Sequence, residues 1–242
     1  MKITIADTPA DLAQQAAEWI AVYAESVLRQ RDRFTIALSG GSTPKALHEL
    51  LAQPPLRDRI DWSRVHIFWG DERFVPLTDE RNNARMAYDT LLNHVPVAEE
   101  HIHVMRTDLP PDQSMVEYDQ LLHRYFDGHD HTFDLVLLGM GDDGHTLSLF
   151  PGTSLTTAVV NGEHTWTTAF FLTQQTMFRL TLTASVVNKA AAVLFLVAGA
   201  AKADALREVL HGLYQPEKYP SQRIKPHNGN LIWFIDRAAA KL

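Results

Sequence analysis

Hydrophobic residues occur along the chain in short uninterrupted runs, separated by longer stretches in which apolar positions recur with helical spacing. Short apolar runs are typical of buried strands, whereas apolar residues repeating every three to four positions indicate helices packed on one face. The predicted strands are Thr35–Leu38, Val65–Trp69, Phe133–Leu138, Ala192–Ala198 and Leu231–Ile235.

Two of the predicted helices have recognisable starts. Thr8-Pro9 precedes an amphipathic stretch ending at Leu28, and Thr43-Pro44 precedes a shorter one. A hydroxyl residue followed by proline favours a helix start, because the hydroxyl caps the helix and proline fits its first turn. The repeated strand–helix order favours a mostly parallel α/β sheet with helices on its faces and a ligand crevice at the carboxyl ends of the strands. We therefore expect one α/β domain over residues 1–242.

Composition and charge exclude several classes of function. The chain is 45% hydrophobic and 21% charged, as in ordinary globular proteins, and no apolar run approaches the roughly 20 residues that span a bilayer. The first residues turn polar and acidic too early for a signal peptide, so we expect a cytoplasmic protein without a membrane role. Cysteine is absent, which excludes disulfides and thiolate sites. The net charge of −7 argues against nucleic-acid binding, so an anionic substrate needs a locally basic pocket.

The loop after the first predicted strand reads SGGSTP and leads into a helix. Its glycines let backbone N–H groups approach an anion, its hydroxyls add donors, and a helix N-terminus favours negative charge. The spacing of a triphosphate-binding loop is missing. The sequence thus predicts a phosphate site, or alternatively a plain glycine-rich turn with a threonine cap. The candidate phosphate-binding residues are Ser39, Gly40, Gly41, Ser42 and Thr43.

Charged residues follow the next predicted strand directly, in the sequence GDER. Asp71 and Arg73 therefore lie where the carboxyl end of a strand meets the crevice, and a guanidinium offers a planar fork of donors to phosphate or carboxylate. A solvated loop with surface salt bridges is the alternative interpretation.

A third glycine-rich loop, GMGDDGHTLSLFPG, matches the spacing of dinucleotide-binding loops. Asp142 and Asp143 would place negative charge where a pyrophosphate must lie, and Pro151 comes too soon for the long helix of that motif, so we expect no nicotinamide cofactor. His145 is instead suited to act as a general base, with Asp143 orienting its ring. A structural histidine is the alternative.

Two cations further along the chain are candidates for the basic pocket. Arg179 begins an alternating strand, and Lys202 starts a helix after a strand. Either residue is alternatively an ordinary surface cation. The histidine pairs at 101–103 and 129–131 lack a third ligand at a matching spacing, so no metal site is expected.

Taken together and in order, the segments SGGSTP, GDER, GMGDDGHTLSLFPG, RLTLT, VAGAAKADAL and WFIDRAAA resemble 6-phosphogluconolactonases of the bacterial type. The resemblance covers nearly the whole chain. It implies a Rossmann-like α/β fold shared with glucosamine-6-phosphate deaminases and ribose-5-phosphate isomerases, and no cofactor. It also implies hydrolysis of 6-phospho-D-glucono-1,5-lactone to 6-phosphogluconate in the oxidative pentose phosphate pathway. We expect a monomer or weak homodimer.

The resemblance also assigns roles by position. It implies His145 as the catalytic base with Asp143 beside it, and Asp71 and Arg73 facing the sugar. The implied phosphate ligands are the loop residues Gly40, Gly41, Ser42 and Thr43, together with Arg179 and Lys202. Asp142 departs from the family pattern, because many lactonases carry proline there.

Two other functions are compatible with parts of this pattern. The amino-sugar phosphate deaminases typically have the sequence D-E-Y in the second loop and N-E-P after the histidine. This chain has Arg73 in place of the tyrosine and LFP in place of N-E-P, so the glutamate of N-E-P is absent. A regulator that only senses sugar phosphates would keep the phosphate loop but would not need His145.

Overall fold

The computed structural model describes residues 1–153, 158–160 and 163–241. The strands are β1 (Lys2–Ala6), β2 (Phe34–Leu38), β3 (Val65–Trp69), β4 (Asp71–Arg73), β5 (Leu135–Gly139), β6 (Ala158–Val160), β7 (Glu163–Thr165), β8 (Thr167–Leu172), β9 (Met177–Leu182), β10 (Val193–Val197) and β11 (Leu231–Asp236). The α-helices are α1 (Pro9–Leu28), α2 (Ser42–Leu51), α3 (Leu56–Arg59), α4 (Asn83–Thr90), α5 (Pro111–Phe126), α6 (Ala184–Val187), α7 (Ala203–His211) and α8 (Arg237–Ala240).

The main sheet contains six parallel strands in the order β1-β11-β10-β5-β2-β3. Strands β2 and β10 are buried along their whole length, which explains why they read as continuous apolar runs. The predicted mostly parallel sheet flanked by helices is therefore confirmed. The chain leaves β2 toward β3 but leaves β5 toward β10, so a topological switch point lies between β2 and β5. Ligands of such folds bind outside the carboxyl ends of the strands at this point.

The five predicted strands differ from the structure only at their ends, whereas the edge strand β1 of the main sheet was not predicted. Val65–Trp69 is correct, whereas the run predicted from Phe133 forms a strand from Leu135 to Gly139. The reason is local: the Asp134 carboxylate accepts hydrogen bonds from the backbone N–H and the hydroxyl of Thr35, so side chains replace the ladder at this end.

The two helix starts were predicted with different success. Thr8 caps α1, because its Oγ1 accepts a hydrogen bond from the backbone N–H of Asp11. The predicted Thr43 cap on α2 is wrong. This helix already begins at Ser42, and its cap residue is Gly41, whose φ of 106° belongs to the region that favours glycine.

A small antiparallel sheet, in the order β4-β9-β8, joins the carboxyl end of the main sheet. Gly70 connects the two sheets, since its N–H donates to Leu38 of β2 and its carbonyl accepts from Leu182 of β9. Arg179 is the third residue of β9 rather than its first, and it lies directly opposite Arg73. The second sheet thus carries charged residues over the switch point.

None of the helices within the described ranges is both long and apolar enough to cross a membrane.

Candidate active site

A cavity of about 240 Å³ opens at the switch point between β2 and β5. Its walls come from the loops after β2, β3 and β5, from β9, and from the N-terminal end of α7. The lining residues are Ser39, Gly40, Gly41, Asp71, Arg73, Asn83, Gly139, Met140, Gly141, His145, Thr146, Leu147, Arg179 and Lys202. The three loops singled out in the sequence therefore meet at one place.

His145 and Asp143 form a close pair at this cavity. Nδ1 of His145 lies 2.6 Å from Oδ1 of Asp143, and the same oxygen accepts the backbone N–H of His145 at 2.9 Å. Burial by itself would raise the pKa of Asp143, but these hydrogen bonds outweigh it and hold the pKa below its ordinary value. An ionised carboxylate only accepts, so it keeps the proton on Nδ1 and leaves Nε2 as the basic atom.

Gly141 is required for this pair by its lack of a side chain. A Cβ at Gly141 would lie 2.1 Å from His145 Nδ1 and 2.5 Å from Asp143 Oδ1. The φ of Gly141 is not positive, but three further residues of this loop have a positive φ, namely Gly144 at 80°, Leu147 at 54° and Gly152 at 73°. The glycines of this loop thus allow a tight turn that brings the carboxylate and the imidazole together, which is a different purpose from phosphate binding.

Phe150 packs between the histidine and the cationic side of the cavity. Its ring centroid lies 4.4 Å from that of His145, and the guanidinium carbon of Arg179 lies 5.8 Å from the Phe150 centroid. Phe150 therefore covers one face of the imidazole with an apolar group.

Asp71 and Arg179 form a salt bridge that is almost completely buried. Nη2 of Arg179 lies 2.7 Å from Oδ2 of Asp71. Ser148 joins the pair, because its hydroxyl donates to the same Oδ2 at 2.6 Å and accepts from Arg179 Nε at 2.9 Å. Gln175 accepts a further hydrogen bond from Arg179 Nη1. Oδ1 of Asp71 takes no part in these contacts, and Asp71 is one of the residues that line the cavity.

Arg73 is held in place by Asn83, a residue that the sequence did not single out. Arg73 Nη1 donates to Asn83 Oδ1 and to the carbonyl of Arg81, each at 3.0 Å. Asn83 Nδ2 donates to the carbonyl of Asp71 at 2.9 Å, and a Cβ at Gly40 would come within 1.9 Å of Asn83 Oδ1. Asn83 therefore links the GDER strand to the phosphate loop. Its sequence signal was its place in the stretch NNARM that follows GDER.

The structure does not bring all of the predicted phosphate residues to the same cavity. Ser39, Gly40 and Gly41 line the cavity, whereas Ser42 lines a neighbouring depression of about 390 Å³. Within the described part of the chain, Thr43 lines neither the cavity nor this depression. Lys202 lines the cavity from the cap position of α7.

Within residues 1–153, 158–160 and 163–241, no group of three or more histidine, aspartate or glutamate side chains is arranged to hold a metal ion.

Fold and site together define a Rossmann-like α/β protein with a carboxylate–imidazole pair beside a cation-lined cavity. The model of the family described as glucosamine-6-phosphate isomerases/6-phosphogluconolactonase matches residues 7–233. The chain belongs to this family.

Similar proteins include the 6-phosphogluconolactonase of Synechocystis, which is 40% identical over 234 residues, covering 95% of this chain and 93% of the relative. The 6-phosphogluconolactonase of Haemophilus influenzae is 34% identical over 86% of each chain. The solved structure of the Thermotoga maritima 6-phosphogluconolactonase matches with a TM-score of 0.83 at 28% identity, covering 97% of this chain and 99% of that one. A monomeric glucosamine-6-phosphate deaminase has a TM-score of 0.85 at 22% identity, which shows the shared fold alone.

Proposed function

We propose that this protein hydrolyses 6-phospho-D-glucono-1,5-lactone to 6-phospho-D-gluconate in the oxidative pentose phosphate pathway. The observation that carries the proposal is the His145–Asp143 pair at 2.6 Å in a cavity that also contains Arg73, Arg179 and Lys202. A base and a set of cations in one cavity suit a neutral lactone that carries a phosphate. The 6-phosphogluconolactonases among its relatives support the same substrate.

The phosphate end of the substrate is held by cations and by a loop of small residues. Backbone N–H groups of the loop from Ser39 to Gly41 and the side chain of Lys202 face the phosphate in this proposal. Arg179 has five N–H groups, of which Ser148, Gln175 and Asp71 accept one each, and in this proposal the other two bind the phosphate. Binding energy from this end positions the lactone carbonyl at His145.

The chemical step is general-base hydrolysis. Nε2 of His145 takes a proton from water as the water oxygen bonds to C1, and the carbonyl oxygen becomes an oxyanion. Asp143 stabilises the imidazolium that forms, while backbone amides or Arg73 donate to the oxyanion. The intermediate then collapses: the bond from C1 to the ring oxygen breaks, and the ring oxygen leaves with the proton that His145 returns. The product is the open-chain acid, and no covalent enzyme intermediate is formed.

Amino-sugar deamination is not favoured. Deaminases of this fold resemble N-E-P after the histidine, whereas Leu149, Phe150 and Pro151 occupy the corresponding segment here, so the glutamate of their proton relay has no counterpart. We propose that the enzyme acts in the cytoplasm. We also propose that it is a monomer or weak homodimer, because a single chain supplies all the proposed site residues.

Activity is tested with freshly prepared lactone by measuring acid release above the uncatalysed background. His145→Ala should lower turnover by about 100-fold to 10,000-fold, the usual contribution of a general base. The melting temperature should change little, because the side chain of His145 is partly exposed. Near-native turnover of this variant would refute the mechanism, and ammonia release from glucosamine-6-phosphate would favour the deaminase. If neither assay responds but sugar phosphates raise the melting temperature, the sensor interpretation is supported.

A further inference from the structure

Glu72 is a buried acid beside the cavity that the mechanism above does not use. Its side chain is completely shielded from solvent between the cavity residues Asp71 and Arg73. Oε1 accepts the backbone N–H groups of Arg73 at 2.7 Å and Asn83 at 2.8 Å, and Oε2 accepts that of Ala84 at 2.9 Å. The carboxylate thus clamps β4 to the first turn of α4 through three hydrogen bonds.

This carboxylate is costly to keep in such a place. Burial, with a smaller contribution from nearby Asp71, raises the pKa of Glu72 to about 7 against the opposing effect of its three backbone donors. No lysine or arginine within the described ranges forms a salt bridge with it. An apolar side chain would avoid the cost of burying a charge. Stability alone therefore does not account for a glutamate at this position, and the residues that the clamp holds point to a role at the cavity.

Two of the three residues that the clamp fixes by their backbones reach the cavity with their side chains. Arg73 and Asn83 line it, and they contact each other through Arg73 Nη1 and Asn83 Oδ1 at 3.0 Å. Asn83 also lies against Gly40 of the phosphate loop. A change at Glu72 would therefore be transmitted to an arginine, an amide and the phosphate loop without any direct contact to substrate.

We propose that Glu72 is a positioning residue, whose carboxylate sets the backbone of Arg73 and Asn83 so that both side chains face the bound substrate. This inference rests on the proposed function for the identity of the ligand. It does not require Glu72 to exchange a proton with the substrate.

The first test compares Glu72→Gln with the wild-type chain. Glutamine keeps the shape of glutamate but has one acceptor oxygen instead of two. Its NH₂ group, which only donates, must face either the N–H of Ala84 or the N–H groups of Arg73 and Asn83, so the clamp loses part of its hydrogen bonding. We expect about tenfold weaker binding of 6-phosphogluconate in calorimetry and a similar rise in KM, with a smaller change in kcat. Glu100→Gln removes an exposed carboxylate on the surface and serves as the charge-matched control.

A double-mutant cycle separates positioning from general stability. If Glu72 acts through Arg73, then Glu72→Gln should weaken binding much less in an Arg73→Ala background than in the wild-type background. Unchanged binding in Glu72→Gln, or losses that simply multiply in the double variant, would overturn the inference. If Glu72→Gln does not fold, Glu72→Asp, which keeps the charge but withdraws it by one methylene, is taken through the same cycle.

Binding of 6-phosphogluconate also keeps this inference distinct from the proposed function. A wild-type chain that binds this compound but does not hydrolyse the lactone would refute the function, and the cycle would still decide the role of Glu72.

Discussion

Gly141→Ala is the most direct test of how the loop builds the catalytic pair. The added Cβ would lie 2.1 Å from His145 Nδ1 and 2.5 Å from Asp143 Oδ1, whereas ordinary contact begins at 3.4 Å. Because the φ of Gly141 is outside the left-handed region, the conflict is one of space, and the three atoms nearest to the added Cβ all belong to the pair.

The size of the effect follows from this geometry. The imidazole or the carboxylate has to retreat by about 1 Å, and a misplacement of about 1 Å costs about 100-fold in rate. At about 1.36 kcal/mol for each factor of ten, the barrier rises by about 2.7 kcal/mol. The loss should fall on kcat, since the phosphate end of the cavity is built from other loops.

The assay measures lactone hydrolysis above the uncatalysed background at several substrate concentrations, with 6-phosphogluconate as a competing ligand. We expect kcat to fall about 100-fold while the inhibition constant of 6-phosphogluconate changes less than threefold. In a His145→Ala background, Gly141→Ala should have almost no further effect on kcat, because both changes disable one group. Near-native kcat in the single variant, or equal and independent losses in the double variant, would refute the reasoning.

Two further predictions concern stability. Arg179→Ala leaves the buried carboxylate of Asp71 without its partner, so urea unfolding should show a loss of about 3–5 kcal/mol in addition to weaker phosphate binding. Adding Asp71→Asn should recover part of that stability but not the binding, and an Arg179→Ala chain as stable as the wild type would contradict this. Burial lowers the pKa of His48 from 6.5 to about 4, so the folded state favours the neutral ring and stability is lost as the pH falls from 6.5 toward 4, by about 3 kcal/mol in all. His48→Leu removes the titrating ring and should therefore reduce the pH dependence of unfolding over this window. The substitution leaves the Thr90 hydroxyl with a partner, because Thr90 contacts the ring but also donates to the Met86 carbonyl. An unchanged slope would show that other groups control the pH dependence.

The sequence predicted five of the six strands of the main sheet, because these five are largely buried, and it missed the edge strand β1, most of whose residues are exposed or only half-buried. Val193–Val197 and Phe34–Leu38 have every residue buried, so apolar runs mark them within a residue or two. Strand β4 has three residues, all of them charged, and no periodicity can reveal a strand of that length. Its existence depends on pairing with β9, about a hundred positions away in the chain. Short charged strands of this kind become visible only in three dimensions.

The same limit applies to the candidate site. The glycine-rich loop and then the motif resemblance both singled out His145 and Asp143, which are two residues apart, and the structure shows them in contact. The resemblance did not reveal that Asp71 and Arg179, assigned to sugar and phosphate respectively, neutralise each other in a buried salt bridge. That contact joins distant segments, and local sequence carries no signal of which acid meets which base.

This salt bridge changes where the positive charge for a phosphate comes from. Asp71 cancels the charge of Arg179, and Asp143 is occupied with the histidine ring. Among the described residues that line the cavity, Arg73 and Lys202 are the cations that form no salt bridge with an acid. A chain with a net charge of −7 can therefore attract a phosphate locally, because two unpaired cations face a cavity where neighbouring acids are already neutralised or hydrogen-bonded. In the proposed function, Arg179 would then bind the phosphate mainly through the directions of its remaining N–H groups, Lys202 would supply net positive charge at the phosphate, and the charge of Arg73 would lie closer to the oxyanion.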